Sequence, residues 1–452
     1  MASFSRFSGL RAALALGTAC ALAAPAAHGG EPETALSAAT RLEQSARVRC
    51  DGGAPADACA SAYLDAARAY RRAGAFAKTI RIARLGLVQF GAAAVTRSAL
   101  AKELGDGYVG LGIFDQAADA FVFALEGASG PVERGEVLLH ALPLLFALGK
   151  EVEAARLVAD FSKQFPDAKA SGTLTLALVL RAVEQERWGD ALAAGKGALD
   201  RGYPPDVSVR LAVLAARATR AIHKDERHVP LAQVALRLAG DPSTLTPRLR
   251  SAWPDEDEAH QDRRLAQTLT VLGEAHFMVA EAQQRAEVDA LRVPTFRGGT
   301  LGVFASTTLR PWIEKKRAAI EAVSRAYAAI LDIQPAPPPR WVIAAGRNVG
   351  LMWAGFVDDL DGLGARHETV KDFRDAVQGL AEPYRSGRAQ PAMRACVSYA
   401  TKFQWIDPGV RDCERWLAKN YPATLVPVDE LVPRLVAVRS LPLEPPLRPA
   451  AP

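Results

Sequence analysis

Charge of one sign, aromatic surface and long apolar runs are all scarce in this chain. Lys and Arg number 55 against 50 Asp and Glu, a net charge of +5 over 452 residues. That bias is too small to imply a nucleic-acid partner. Beyond the N-terminal segment no stretch reaches the roughly 18 uncharged apolar residues of a membrane span. Val137 to Gly149 is interrupted by His140 and Pro143, and Trp341 to Val357 carries Arg347. Neither a glycine period nor sustained heptads occur, which excludes collagen and coiled-coil classes. With 49% apolar and 23% charged residues, wholesale disorder is excluded too. Aromatics are only 7%. Alanine stands in their place, in runs such as Ala12 to Ala27 and Ala60 to Ala77. Ala is the best helix former and lets backbones approach, so closely packed helices are expected.

Catalytic signatures are also missing. There is no His-Glu-x-x-His and no Gly-x-Ser-x-Gly elbow. His223 and His228 lie five apart, the wrong spacing for one helical face. Asp255 to Glu258, with His260 and Asp262, lacks the alternating ligands and the glycine of a calcium loop, so it reads as a solvated linker. Gly105-x-Gly107-x-x-Gly110 matches the dinucleotide fingerprint as a string, but that mechanism needs a strand before it and a helix start after it. Here the glycines fall inside a helical pattern, where they allow close helix crossing. No cofactor and no metal is expected.

The N-terminus reads as a secretory signal peptide over residues 1–29. Arg6 and Arg11 form its basic end, Leu14 to Ala24 its apolar core, and Ala24-Pro25-Ala26 a small-x-small cleavage site. Cys20 has Gly17 three places before it, where a lipid-modified cysteine needs an aliphatic residue. The expectation is a periplasmic protein, soluble or peripheral to a membrane. Four cysteines then remain. Cys50 and Cys59 flank Asp51-Gly52-Gly53-Ala54-Pro55, and Cys396 and Cys413 flank Asp407-Pro408-Gly409. Of the three possible connectivities, these local pairs close the shortest loops, as clamps on helical hairpins.

The main positive signal is a repeat. Tyr70-x-x-x-Gly74-x-Phe76 returns 38 residues on as Tyr108-x-x-x-Gly112-x-Phe114. Another 37 residues give Leu145-x-x-x-Gly149, and 37 more give Ala182-x-x-x-Glu186-x-Trp188. Thr79, Ala117, Ala154 and Ala191 occupy the matching place in the second helix. This is the tetratricopeptide pattern of a helix, a glycine turn, an aromatic and a small residue where the helices cross. The expected fold is all-α: a right-handed helical-repeat solenoid of tetratricopeptide type over residues 30–240, then a linker at 241–264. A further helical region follows at 265–432 and a Pro-rich tail at 433–452. A fifth hairpin starts near Val207, Val293 to Thr308 reads as a glycine-bearing loop, and a helix from Trp312 to Ile333 buries Ile313, Ala319, Ile320, Val323, Tyr327 and Ile330.

Residues 310 to 425, together with the repeats, resemble large periplasmic tetratricopeptide-repeat proteins of myxobacteria and relatives, of the gliding-motility envelope-complex type. The matching residues are Lys315-Lys316, Ala326-Tyr327, Trp341 to Ala345, Arg347-x-x-Gly350, Phe356, Cys396 and Cys413-x-x-Trp416-Leu417-x-x-Asn420-Tyr421-Pro422. That resemblance implies an envelope scaffold without catalytic residues.

Binding then remains as the function. The repeat register turns Arg68, Arg71, Arg72 and Lys102 toward the groove of the stack, with Asp106 nearby. A basic groove there would take an acidic peptide or a free carboxylate of an envelope protein partner. Trp341 to Phe356 is an apolar helix that reads as core, with a docking patch as the competing reading. The expected function is a non-catalytic interaction scaffold at the periphery of a membrane-embedded complex. The alternative is a peptidoglycan-acting enzyme or accessory protein. Gly350-Leu351-Met352 is similar to part of a lytic transglycosylase signature, although Arg340 to Val349 holds no carboxylate to act as general acid. Intact mass of the exported chain, with and without reductant, checks the N-terminal and cysteine expectations together. Loss of the leader and a gain of two hydrogens for each of two bridges are the expected results.

Overall fold

A computed structural model of the chain describes residues 31–90, 93–223, 225–296, 298, 300–366, 371–405 and 407–423. The expected leader and tail, with Cys20 and His28, lie outside the described residues, as does His367. Every regular element among the described residues is a helix. The chain divides into two compact units between Leu174 and Thr175.

The first unit holds α1 (Glu31–Asp51), α2 (Ala56–Arg72), α3 (Phe76–Gln89), α4 (Ala94–Gly110), α5 (Phe114–Gly127), α6 (Gly130–Ala147) and α7 (Glu151–Gln164). From α1 to α7 each helix packs on the next, and α2 also packs on α4. The division between units falls within α8 (Lys169–Glu184). In the second unit follow α9 (Trp188–Ala198), α10 (Pro205–Ile222), α11 (Val229–Ala239), α12 (Pro242–Ala252), α13 (Glu258–Gln283), α14 (Leu301–Phe304) and α15 (Arg310–Ala328). The last helices are α16 (Pro339–Arg366), α17 (Lys371–Tyr384), α18 (Gln390–Lys402) and α19 (Pro408–Asn420).

The glycine positions picked out by spacing share one backbone geometry. Gly74, Gly112 and Gly149 have φ of +71°, +73° and +70°. The amide two residues into the turn's far side closes each helix end: Ala75 N donates to Tyr70 O at 2.9 Å, Ile113 N to Tyr108 O at 2.9 Å, and Lys150 N to Leu145 O at 2.8 Å. This is the Schellman closure, which needs a left-handed residue just past the helix. In the second unit Arg187 N donates to Ala182 O at 2.8 Å, with Glu186 at φ +56°. Trp405 N to Ala400 O, 2.9 Å, repeats the closure with Gln404 at φ +51°. Gln404 carries no glycine signal, so periodicity did not flag it.

The small-residue positions lie where helices touch. Thr79, Ala117, Ala154 and Ala191 are all 0% exposed. Within α4, a Cβ at Gly105 would sit 2.8 Å from the Phe121 ring, and one at Gly110 would strike Phe76. The glycines of the dinucleotide-like string therefore admit two aromatic rings from neighbouring helices. Both local cysteine pairs are bridged, with Cα separations of 5.5 Å for Cys50–Cys59 and 6.5 Å for Cys396–Cys413. The first ties α1 to α2 and the second ties α18 to α19.

Three expectations need correction. Residues 241–264 are not a solvated linker. They contain α12, whose Leu245 and Leu249 are fully buried in one cluster with Val209, Ala212 and Leu265. Asp257 caps α13 by accepting from His260 N at 2.8 Å. Trp253 donates to the fully buried Asp206 at 2.9 Å and lies under the Arg264 guanidinium. The polar residues that read as linker thus serve caps and buried partners. Second, residues 30–240 are not one unit, because the division falls inside α8. Third, the expected loop at Val293 to Thr308 is helical from Leu301 onward. Thr300 caps α14, and a π-helical turn over Ala305–Leu309 runs straight into α15. The fifth hairpin near Val207 is present as α10 and α11.

The apolar helix from Trp341 is core. In α16, Val342, Met352, Trp353, Phe356 and Leu360 are at most 4% exposed. The stripe expected from Trp312 onward is also buried, except for the half-buried Ala319. Glu186 is exposed and left-handed, a conformation costing about 1–2 kcal/mol for a residue with a Cβ. Glu186→Gly is therefore expected to raise stability in urea titration by about 1 kcal/mol. Gly112→Ala is expected to lower it by about the same amount.

Candidate functional site

The predicted groove residues lie on α2 and α4, and their partners come from α4 and α6. Arg71 Nε donates to Glu103 Oε2 at 2.6 Å and stands 3.5 Å from Asp106 Oδ2. Arg68 Nε lies 3.6 Å from the other oxygen of Glu103. Lys102 Nζ pairs with Glu136 on α6 at 3.0 Å. Asp106 Oδ1 is 3.8 Å from His140 Nδ1, also on α6, and the His140 ring stacks on Phe121 with centroids 5.4 Å apart. Arg72 is exposed and has no ion pair among the described residues.

The spacing brought four of these five residues together but misjudged their charge. The surface is not a free basic groove. Glu103, only 4% exposed, takes both Arg68 and Arg71. Glu103, Glu136 and His140 went unnoticed because each looks ordinary in sequence. A legible signal existed: Glu103 and Asp106 are three apart, on the face of α4 that follows Arg68 and Arg71 of α2 one repeat earlier.

Asp106 is the strained member of the network. Burial pushes its carboxyl above the usual aspartate range, and Glu103 adds to that push. His140, Arg71 and Lys102 act in the opposite direction without overcoming it. Elsewhere the balance tips the other way. Burial also raises Glu43 on α1, but the Tyr70 hydroxyl at 2.7 Å and Arg81 at 2.8 Å hold it below its ordinary value. Glu43 thus behaves as a structural anchor, whereas burial disfavours the charged form of Asp106 on the face shared by α2, α4 and α6.

In the second unit the buried polar groups join helices. Arg217 of α10 holds Glu274 of α13 through two bonds of 2.9 and 2.5 Å. Lys316 of α15 donates to Val288 O at 2.7 Å and Leu291 O at 3.0 Å. Asn348 of α16 donates to the Tyr327 hydroxyl at 2.8 Å, which donates to Gln284 at 2.9 Å. Arg347 of α16 binds Asp412 of α19 at 2.8 Å. Lys316, Tyr327, Arg347, Phe356, Cys396 and Cys413 therefore hold these helices together. Gly350 has a packing role as well: a Cβ there would lie 2.7 Å from Met393 Sδ, where α16 meets α18. Among the described residues no His, Cys, Asp and Glu side chains gather in a group able to hold a metal. No helix among them is long and apolar enough to cross a membrane.

Comparison with protein-family models and with curated proteins finds no match for the chain.

A raised carboxyl pKa means that the folded state binds the proton more tightly than the unfolded one. The stability Asp106 contributes is present below the ordinary aspartate value of about 4 and is lost as pH rises through its folded value. Asp106→Asn should therefore melt higher than the parent at pH above that folded value, with the gap closed once the pH has fallen to about 4. Differential scanning calorimetry across pH checks this.

Proposed function

We propose that the protein is a non-catalytic scaffold of the cell envelope, built from hairpins of the right-handed tetratricopeptide type, that docks a protein partner on the face shared by α2, α4 and α6. The observation that carries this reading is the recurring helix closure at Gly74, Gly112 and Gly149, 38 and then 37 residues apart. It makes each helix pair a unit of the same shape. The packing of α2 on α4 supports the same arrangement, in which the first helices of successive hairpins stand side by side. Asp106 supports the same face, because burial raises its carboxyl above the usual range and perturbed carboxyls gather at functional sites.

The envelope placement rests on the N-terminal leader pattern and on the two bridged cysteine pairs, which suit an oxidising compartment. The likeness to periplasmic repeat proteins agrees with it. On this reading the partner is an envelope protein or peptide, and the scaffold sits at the periphery of a membrane-embedded complex. Neither cofactor nor metal is required. Because Arg68, Arg71 and Lys102 are already paired, the partner meets a mixed-charge surface. Arg72 supplies its exposed positive charge.

Crosslinking of the full chain in envelope fractions tests the reading. A defined protein partner should be recovered, and Arg72→Glu, at an exposed residue without an ion pair among the described residues, should cut its capture about tenfold without changing the melting temperature. Failure to recover a partner, or release of muropeptides from peptidoglycan by the purified protein, would overturn it.

A further inference from the structure

A second face of the first unit carries a feature that the α2, α4 and α6 surface does not explain. Between α5, α6 and α7 lies an open cleft of about 260 Å³. Its apolar walls are Val122 and Leu125 from α5, Leu138 from α6, and Leu157 and Phe161 from α7, with charged side chains around them. Small-molecule sites usually run to about 300–1,000 Å³. This cleft is nearer the size that one large side chain fills.

Arg134 of α6 also lines it. Among the described residues of the first unit three arginines are half-buried: Arg68, Arg71 and Arg134. The first two share the buried carboxylate of Glu103. Arg134 has neither an ion pair nor a side-chain hydrogen bond among the described residues. A guanidinium partly withdrawn from water gains from a carboxylate that matches its planar fork. Arg156, at the same cleft, is already engaged with Asp160 at 3.3 Å, and both are largely exposed. Glu126, like Asp160, lines the cleft and is exposed, and it has no ion pair among the described residues. Its charge repels a run of acids, so a single carboxylate is favoured over a polyacidic segment.

We propose that this cleft docks a partner polypeptide that presents one large apolar side chain beside one carboxylate, the side chain filling the space between α5, α6 and α7 and the carboxylate pairing with Arg134. The proposal rests on the reading of the protein as a docking scaffold but uses a different face from the one assigned above.

Selection of short phage-displayed peptides on the full-length protein, with counter-selection on Val122→Trp and Arg134→Gln variants, tests it. Val122→Trp fills the cleft and Arg134→Gln removes the charge while keeping a polar side chain. Unchanged melting temperatures verify that both variants fold. Selected sequences should pair Phe, Leu or Met with a nearby Asp or Glu. As synthetic peptides they should lose about tenfold in affinity when that acid becomes its amide, and by a similar factor on Arg134→Gln. Binders that ignore both cleft variants but fail on Arg72→Glu would overturn the cleft and leave the scaffold reading standing. An absence of binders, a consensus without an acid, or displacement of selected peptides from the cleft by decanoate in preference to any acidic peptide would also overturn it.

Discussion

How closely two helices can approach is the constraint on which the first unit depends. Thr79, Ala117 and Ala154 are fully buried at the crossings, and Gly105 and Gly110 receive the rings of Phe121 and Phe76. A larger side chain at any of these points would force the helices apart, because interiors are packed to crystal-like density. The close approach also brings polar side chains of successive helices within reach of one another. Arg71 reaches Glu103, and Asp106 reaches His140, only because α2, α4 and α6 stand this near. The charge network of the candidate site is thus a consequence of small-residue packing.

Two kinds of buried charge follow, and they differ in physical meaning. Glu43, held by Tyr70 and Arg81, is more than compensated for its burial and anchors α1 against the first hairpin. Asp106 is under-compensated although two cations and a histidine surround it. Arg134 is the cationic counterpart, half-buried and without a partner among the described residues. The second unit holds matched pairs. Arg217 with Glu274, and Arg264 and Trp253 with Asp206, satisfy one another across the helices they join. A partly buried group left unmatched by its own protein is a place where a partner gains.

Much of the architecture was legible in residue order. Left-handed turns announce themselves when glycine fills them, so Gly74, Gly112 and Gly149 were found from spacing. Glu186 was found only by its place in the series, and Gln404 was missed because neither its type nor its spacing marks it. The cysteine pairs followed from loop length. The stretch at 241–264 was misread for a different reason. Its acids and prolines resemble a solvated linker, but Asp257 is a cap, Glu256 is the partner of Arg264, and Leu245 and Leu249 alone carry the burial. A short helix with two buried leucines has too weak a period to stand out against its polar neighbours.

The sequence by itself determined the all-helical class, the positions of the hairpin turns, the crossing residues and the local cysteine pairs. Each of these depends on residues near in the chain, on backbone conformations only certain residues tolerate, or on a strict spacing. Tertiary structure alone decided the charge state of the candidate face, the unpartnered Arg134 and the division inside α8. Pairing and burial depend on which side chains from distant segments meet, and a list of residue types holds no record of those distances. Arg68, Arg71 and Lys102 read as a basic groove until the fold set Glu103 and Glu136 against them.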